Sequence, residues 1–426
     1  MEFLVAAVFV IGYAAIAFEH PIKVNKAASA LLTGVLCWTI FILGKYSEAE
    51  TISHSLIEHL GDISGILFFL LGAMTIVELV DMHNGFDVIT NKIKTTDKRK
   101  LLWIIGIITF FLSAILDNLT TSIVIVSLLR KLIKSTRGRM LYAGIVVIAA
   151  NAGGAWSPIG DVTTTMLWIQ NKITTVNIII RLILPSLVCL VLPLALLSWK
   201  LKGKFIRPEG NAHRSHHAPT TPFERSVVFW TGVGALVFVP VFKAVTHLPP
   251  FMGMMFGLGI LWVVTEILHG KKTEEEKGIY SVISALRKID IPSVLFFLGI
   301  LIAISALQTT GQLSELAATL DRTIGNMNII VLAIGLLSAI VDNVPLVAAA
   351  IGMYDYGTDH VFWEFLAYCA GTGGSALIIG SAAGVAVMGI ERIDFIWYLK
   401  KISFFALLGY FGGALIYILM EPLFVR

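Results

Sequence analysis

The chain has 426 residues, 57% of them hydrophobic and only 14% charged, with a formal net charge of +4 and a mean hydropathy of +0.84. That composition excludes a soluble globular protein. The basic excess sits in loops, where it carries topology rather than nucleic-acid binding. Many windows of about 20 residues lack charge, the length needed to cross roughly 30 Å of hydrocarbon, so the fold class is an all-α polytopic membrane protein.

Taken in chain order, apolar segments fall at 2–19, 27–43, 61–82, 101–134, 140–171 and 175–199, then at 225–245, 250–268, 291–308, 326–354, 361–390 and 394–420. The first opens on Met1-Glu2-Phe3-Leu4 without a basic n-region or a small-residue cleavage site. It reads as a membrane span rather than a cleaved signal. Segment 101–134 is too long for one crossing and has basic flanks on both sides: Lys98-Arg99-Lys100 before it, and Arg130, Lys131, Lys134, Arg137 and Arg139 at its end. The positive-inside rule puts both flanks in the cytoplasm, which predicts a re-entrant hairpin (about 101–134) with Asp117-Asn118 at its tip. The broken helix about 140–171 follows it. Residues 200–224, rich in Lys, Arg, His and Pro, form a cytoplasmic linker between a first repeat, 1–199, and a second, 225–426. Its His213, His216 and His217 read as a solvated loop, with pH sensing as the alternative. Segment 326–354 has Asp321-Arg322 before it and Asp355 and Asp359 after it, and predicts a hairpin entering from outside, followed by the broken helix about 361–390.

The halves match in four places, in the same order and at nearly constant separation. Leu67-Phe-Phe-Leu70 matches Leu295-Phe-Phe-Leu298, and Gly85 matches Gly311. Ser113-Ala-Ile-Leu-Asp117-Asn118 recurs as Ser338-Ala-Ile-Val-Asp342-Asn343, and Gly153-Gly154 with Gly160 recurs as Gly373-Gly374 with Gly380. Such self-similarity marks a duplicated unit. Each half then holds five crossings and one hairpin, an odd number, so the second half is inverted and both termini lie outside. Lys23, Lys26, Lys271, Lys272, Lys277, Arg287 and Lys288 fall inside, whereas Lys172 and Arg181 fall on the wrong side.

The chemistry concentrates where these segments break. Asn151-Ala-Gly-Gly-Ala-Trp-Ser157-Pro158-Ile-Gly160-Asp161-Val-Thr163-Thr164 cannot be one continuous helix, and neither can Gly371-Thr372-Gly-Gly-Ser375 through Gly380-Ser381. Two hairpin tips and two breaks therefore bring carbonyls, hydroxyls, amides and carboxylates to mid-membrane, an oxygen-rich set suited to a hard cation. Helix N-termini there would favour an anion. Asp117 and Asp161 outweigh that field in the first half, while Ser381 stands where Asp161 would be in the second, leaving Asp342 alone. No Lys, Arg or His is near either break in sequence, so the site is expected to be net acidic and to sit on the first-half side. Burial raises a carboxylate's affinity for protons, so proton and cation compete for it. The candidate cation/proton residues are Asp117, Asn118, Thr120, Thr121, Asn151, Ser157, Asp161, Thr163, Thr164, Asp342, Asn343, Thr372, Ser375 and Ser381. Na⁺ itself is assigned to Asp117, Asn118, Asp161, Thr163, Asp342 and Asn343.

The same residues have ordinary structural roles open to them. The aspartates could cap helices, and the hydroxyls could bond their own helix carbonyls. Glu78 lies inside a span with no counterpart in the other half, and Glu266 and Glu364 read as interfacial. Cys37, Cys189 and Cys369 lack CxxC spacing and read as buried thiols. A hydrolase using Ser375 is excluded because no histidine lies in the membrane core to serve as its base, so no enzyme activity is expected. A channel would use the same polar breaks, but the inverted repeat favours alternating access.

At these residues the chain resembles the NhaD-type sodium/proton antiporters, of the superfamily that also holds divalent anion:sodium symporters and arsenite permeases. The resemblance covers essentially the whole chain. It rests on Ser113 through Thr121, on Asn151 through Thr164 and on Asp342-Asn343. It implies exchange of cytoplasmic Na⁺, or Li⁺, for external H⁺, with no cofactor beyond the transported ion. It also implies a homodimer working as an elevator in a bacterial inner membrane. The symporter branch carries Ser-Asn-Thr motifs at its tips. Asp-Asn at both tips here departs from that pattern and argues against a dicarboxylate, although a sodium-coupled anion symporter or arsenite-type permease stays open as the alternative.

Overall fold

The computed structural model describes residues 2–44, 48–90, 93, 95–205, 220–270 and 272–424. The histidines at 213, 216 and 217, most of the 200–224 linker and the outermost terminal residues lie outside the described residues. Among the described residues the regular elements are helices joined by turns and loops, with one isolated bridge between Asp97 and Lys204. Exposed Trp230, Phe256, Ile260, Val263 and Ile267 give its outer surface an apolar character that only lipid would cover. The chain is a multi-pass membrane protein.

The first half runs α1 (Glu2–Ala17), α2 (Lys26–Leu43), α3 (Ala49–Met82), α4 (Lys98–Leu116), α5 (Asn118–Leu132), α6 (Thr136–Ala155), α7 (Val162–Ile169) and α8 (Thr175–Lys200). The second runs α9 (Pro222–Thr246), α10 (Pro250–His269), α11 (Ile291–Thr309), α12 (Gln312–Thr323), α13 (Met327–Leu337), α14 (Asn343–Met353), α15 (Val361–Gly373), α16 (Ala382–Glu391) and α17 (Ser403–Phe424). Short helices fill some of the connections. Among the described residues eight helices are long and apolar enough to cross a membrane, or nine if the bent pair α12–α13 counts as one span. Ten crossings were expected. Three of the ten fall short, because α1 has 16 residues and the breaks divide two expected spans into pieces of 20 and 8 residues and of 13 and 10. Helix α4, an arm of the expected first hairpin, is long enough to be counted.

The breaks have local causes. Asp117, at φ 89°, turns the chain between α4 and α5 in a conformation that costs a non-glycine residue about 1–3 kcal/mol. At the start of this pair the Tyr142 hydroxyl donates to Lys98 O over 2.7 Å, and at its end Arg139 Nη1 donates to Ile133 O over 2.9 Å. Lys98 and Leu132 therefore lie together beside the first turns of α6, and α4–α5 is a helical hairpin. In the second half the ring of Tyr354, just past α14, lies tilted against that of Phe362 at the start of α15, with centroids 4.7 Å apart.

Two of the four sequence matches become matched contacts, whereas Gly85 packs on Val80 and Phe229 and Gly311 has open space around it. Ser113 Oγ donates to Ala150 O over 2.6 Å, and Ser338 Oγ donates to Ala370 O over 3.1 Å. A Cβ on Gly153 would strike Phe110 O, and one on Gly373 would strike Gly335 O. Gly160 packs on Ser113 and Ala114, and Gly380 packs on Ala339. In both halves, glycine lets the helix that ends at the break lie backbone-to-backbone against the helix that precedes the Asp-Asn pair. Helices α8 and α17 pack on this group, where the Tyr368 hydroxyl donates to Tyr410 O over 2.9 Å, and α1–α3 with α9–α11 form a second layer. Within it α2 and α11 pack through Gly34 and Gly299, and Trp38 Nε1 donates to Ile302 O over 2.9 Å.

The two basic residues that depart from the positive-inside pattern both have acidic neighbours. Glu364, in the first turn of α15, is 0% exposed and accepts from Arg181 Nη1 at 2.5 Å and from the Tyr417 hydroxyl at 3.3 Å. Lys172 lies 3.7 Å from the exposed Asp355. All three cysteines are buried and free.

Replacing Gly373 by Val should cost about 1–3 kcal/mol or more through overpacking against Gly335, and Gly389, which has open space around it, should tolerate Ala. Yield of monodisperse protein and its thermal midpoint in detergent measure both, and equal midpoints would contradict the packing assigned to Gly373.

Candidate cation and proton site

The aspartates stand at helix starts because each caps one. Asp117 Oδ1 accepts from Thr120 N at 2.8 Å, Asp161 Oδ1 from Thr163 N at 2.9 Å, and Asp342 Oδ1 from Val344 N at 3.2 Å. The capping role is thus real at all three, and it consumes only part of each carboxylate. The second oxygen of Asp117 accepts from the Thr120 hydroxyl at 2.8 Å. Asp161 Oδ1 also accepts from the Thr163 hydroxyl at 2.7 Å, while its Oδ2 accepts from Asn118 Nδ2 at 2.5 Å. Asp342 Oδ2 faces Lys26 Nζ at 3.3 Å.

A buried amide network joins the two halves. Asn118 Nδ2 also donates to Asn151 Oδ1 over 3.1 Å, and Asn151 Nδ2 donates to Ser375 Oγ over 2.9 Å and to Ser381 Oγ over 3.0 Å. Asn151 is 0% exposed, so its amide is satisfied entirely by protein. Asn118, Asp161, Ser375 and Ser381 are likewise buried. One hairpin tip, the break before α7 and the break before α16 meet at this amide.

Other candidate residues do structural work. Ser157 Oγ donates to Ala114 O over 2.6 Å, holding the break against the hairpin. Thr164 Oγ1 donates to Asp161 O over 2.9 Å, and Thr372 Oγ1 to Tyr368 O over 2.6 Å, each satisfying a nearby backbone carbonyl. Thr121 is buried with its hydroxyl unpartnered. Glu78 lies 3.6 Å from Lys288 and takes no part in the cavity lining.

A cavity of about 80 Å³ lies between the hairpin tips and the second helix layer. Asp117, Asn118, Thr120, Asp161, Asp342 and Asn343 line it on one side, and Phe69, Met74, Leu236, Met254 and Phe297 on the other. A cavity needs ~10–15 Å³ by this measure to hold one water, so this one accommodates a small cation with several waters. Three carboxylates on one small cavity favour a monovalent cation over any anion.

One expectation about charge needs correction. Lys26 lines this cavity and pairs with Asp342, so a basic group does stand at the site. Asp342, assigned to the Na⁺ set from the sequence, lines the same cavity as Asp117 and Asp161. Sequence reasoning missed Lys26 because it lies far from both breaks in the chain and the positive-inside rule already accounted for it. Its position as the first residue of an apolar helix was the available signal. Ser293 and Thr165, also on the cavity wall, gave none.

Paired discontinuous helices, a polar cavity at their meeting point and a lipid-facing surface define a helical membrane transporter. Residues 13–368 match the model of the citrate transporter family. The chain is 50% identical to sodium/proton antiporter 1 of Arabidopsis thaliana over 98% of its own length and 72% of that relative's. It is 46% identical to sodium/proton antiporter 2 of the same plant, over 97% and 98% of the two chains. It is 30% identical to the Na⁺/H⁺ antiporter NhaD of Halomonas elongata, over 92% of this chain and 82% of that one. The chain belongs to the citrate transporter family, and within it to the NhaD-type sodium/proton antiporters.

Asn151→Ala removes three hydrogen bonds at once and leaves Ser375 and Ser381 without their shared donor. It should lower stability by about 1–3 kcal/mol, read as a fall in thermal midpoint of the purified protein. An unchanged midpoint would show that the amide does not tie the halves together.

Proposed function

We propose that this protein is a secondary active antiporter that exports Na⁺ or Li⁺ in exchange for protons, at a site near the membrane midplane. The observation that carries the reading is the cavity shared by Asp117, Asp161 and Asp342. Their carboxylates, with the Asn118 and Asn343 side chains and the Thr163 hydroxyl on Asp161, offer oxygen ligands to a hard cation. A carboxylate that binds either a cation or a proton, never both, couples the two fluxes in opposite directions. Asp161, tied to Asn118 and Thr163 and only 2% exposed, is the proposed centre of that exchange.

The architecture we infer is an inverted repeat with two re-entrant hairpins. Its support is that Ser113 and Ser338, Gly153 and Gly373, and Gly160 and Gly380 make corresponding contacts, each within its own half. Further support comes from the two ends of the bundle. Arg130 and Arg139, at the open end of the first hairpin, bind Glu391 at the end of α16, at 2.7 and 3.1 Å. Thr174 and Arg181, beyond α7, instead bind Asp359 and Glu364 around the start of α15. The cavity's position between the hairpin layer and the second helix layer supports an elevator motion of one layer past the other. A homodimer, both termini outside and the bacterial inner membrane complete the proposal. The bacterial relatives support that location, while the more similar plant relatives make a plant membrane its rival.

The family description names citrate, which makes a sodium-coupled anion symporter the second reading. Three aspartates facing one lysine would repel a tricarboxylate, which favours the cation.

Everted vesicles containing the protein should dissipate a proton gradient on addition of Na⁺ or Li⁺, and should take up no labelled citrate. Asp161→Asn should reduce the cation-dependent flux to background at every pH. Undiminished flux in that variant would sink the carboxylate assignment, and sodium-dependent citrate uptake would replace the antiport reading.

A further inference from the structure

Lys26 is the first residue of α2, where Asn25 caps the helix by accepting from Ala27 N at 2.8 Å. Its backbone N donates to Glu19 Oε1 over 3.2 Å, which anchors the residue while leaving the side chain free to extend. The ammonium sits 3.3 Å from Asp342 Oδ2 and 4.3 Å from the centre of the Phe296 ring, which is fully buried. Both members of the pair are partly exposed: the Lys26 side chain is 32% exposed and that of Asp342 is 22% exposed. Asp161, on the same cavity, is nearly sealed. The ion pair therefore occupies the more open part of the cavity, and the Asn118–Asp161 cluster its buried part.

Compact and monovalent, an ammonium on a flexible stem has the same charge as the transported ion. When it holds Asp342, one carboxylate of the cavity is already neutralised, and a second cation entering beside it meets a like charge at low dielectric. When it withdraws towards water, Asp342 Oδ2 is freed for another cation. The buried Phe296 ring stabilises the ammonium in the paired position through its electron-rich face.

We propose that Lys26 is a tethered counter-cation that competes with the transported cation for Asp342 and so sets the affinity of the site. The proposal rests on the antiport reading above and adds to it a residue that no carboxylate motif contains. Lys26 acts through Asp342 and is a positioning residue, holding that carboxylate in place between transport cycles.

The test compares wild type, Lys26→Gln, Lys26→Arg and Asp342→Asn in proteoliposomes, reading Na⁺-driven proton flux against Na⁺ concentration. Lys26→Gln should lower the apparent KM for Na⁺ by about fivefold or more, the range of an ordinary coupling between sites, with Vmax moving much less. Lys26→Arg, which keeps the charge, should return KM towards wild type. In an Asp342→Asn background, Lys26→Gln should leave KM where Asp342→Asn alone puts it. Should Asp342→Asn abolish flux, ²²Na⁺ binding to the purified double and single variants gives the same comparison. Three results would overturn the proposal: an unchanged or raised KM in Lys26→Gln, a Lys26→Arg protein that behaves like Lys26→Gln, or an equal effect of Lys26→Gln without Asp342. Absence of any Na⁺- or Li⁺-driven flux in wild type is a separate outcome and would remove the antiport reading itself.

Discussion

The buried Asn151 amide is the interaction on which the centre of the molecule depends. Its oxygen accepts from the first hairpin tip and its nitrogen donates to the second broken helix, so two segments more than two hundred residues apart are held by one side chain. In hydrocarbon no water would replace these bonds. The breaks in α6–α7 and α15–α16 expose backbone and hydroxyl groups that must find partners inside the protein. The amide network, the Ser157 and Ser338 bonds and the glycine contacts supply them.

That solution has a consequence for the carboxylates. An aspartate at the start of a short helix is stabilised by capping, and each of the three tip or break aspartates caps one. Capping uses one oxygen or one pair of lone pairs, which leaves the rest of the group directed at its neighbours. The structural and functional readings of these residues are thus two uses of one geometry rather than rivals. The same holds for the hydroxyls, where the division is sharper: Thr163 and Ser381 join the network, whereas Thr372 bonds within its own helix and Ser157 holds a break to a hairpin.

Charge inside the protein is handled by pairing at different depths. Glu391 is held by Arg130 and Arg139 at one end of the hairpin layer, and Glu364 by Arg181 at the other. Each of these carboxylates is almost wholly buried, and loss of its partner would leave an uncompensated charge. In the cavity three carboxylates, Asp117, Asp161 and Asp342, share the lining with one basic group, Lys26.

The sequence alone carried the membrane class, the duplicated order and the residues of the tips and breaks. Hydrocarbon penalises polar groups so strongly that Asp117-Asn118, Asp342-Asn343 and the glycine-rich breaks stand out against an apolar background. Glycine pairs such as Gly153 and Gly373 were legible for the same reason, since their contacts recur in register. Only the tertiary structure decided which charges meet. Lys26 lies far from Asp342 in the chain, and Arg181 and Glu364 sit on different helices, so local pattern read the first as a topological marker and the last as interfacial. Long-range pairing depends on how helices pack, a property that no local spacing records.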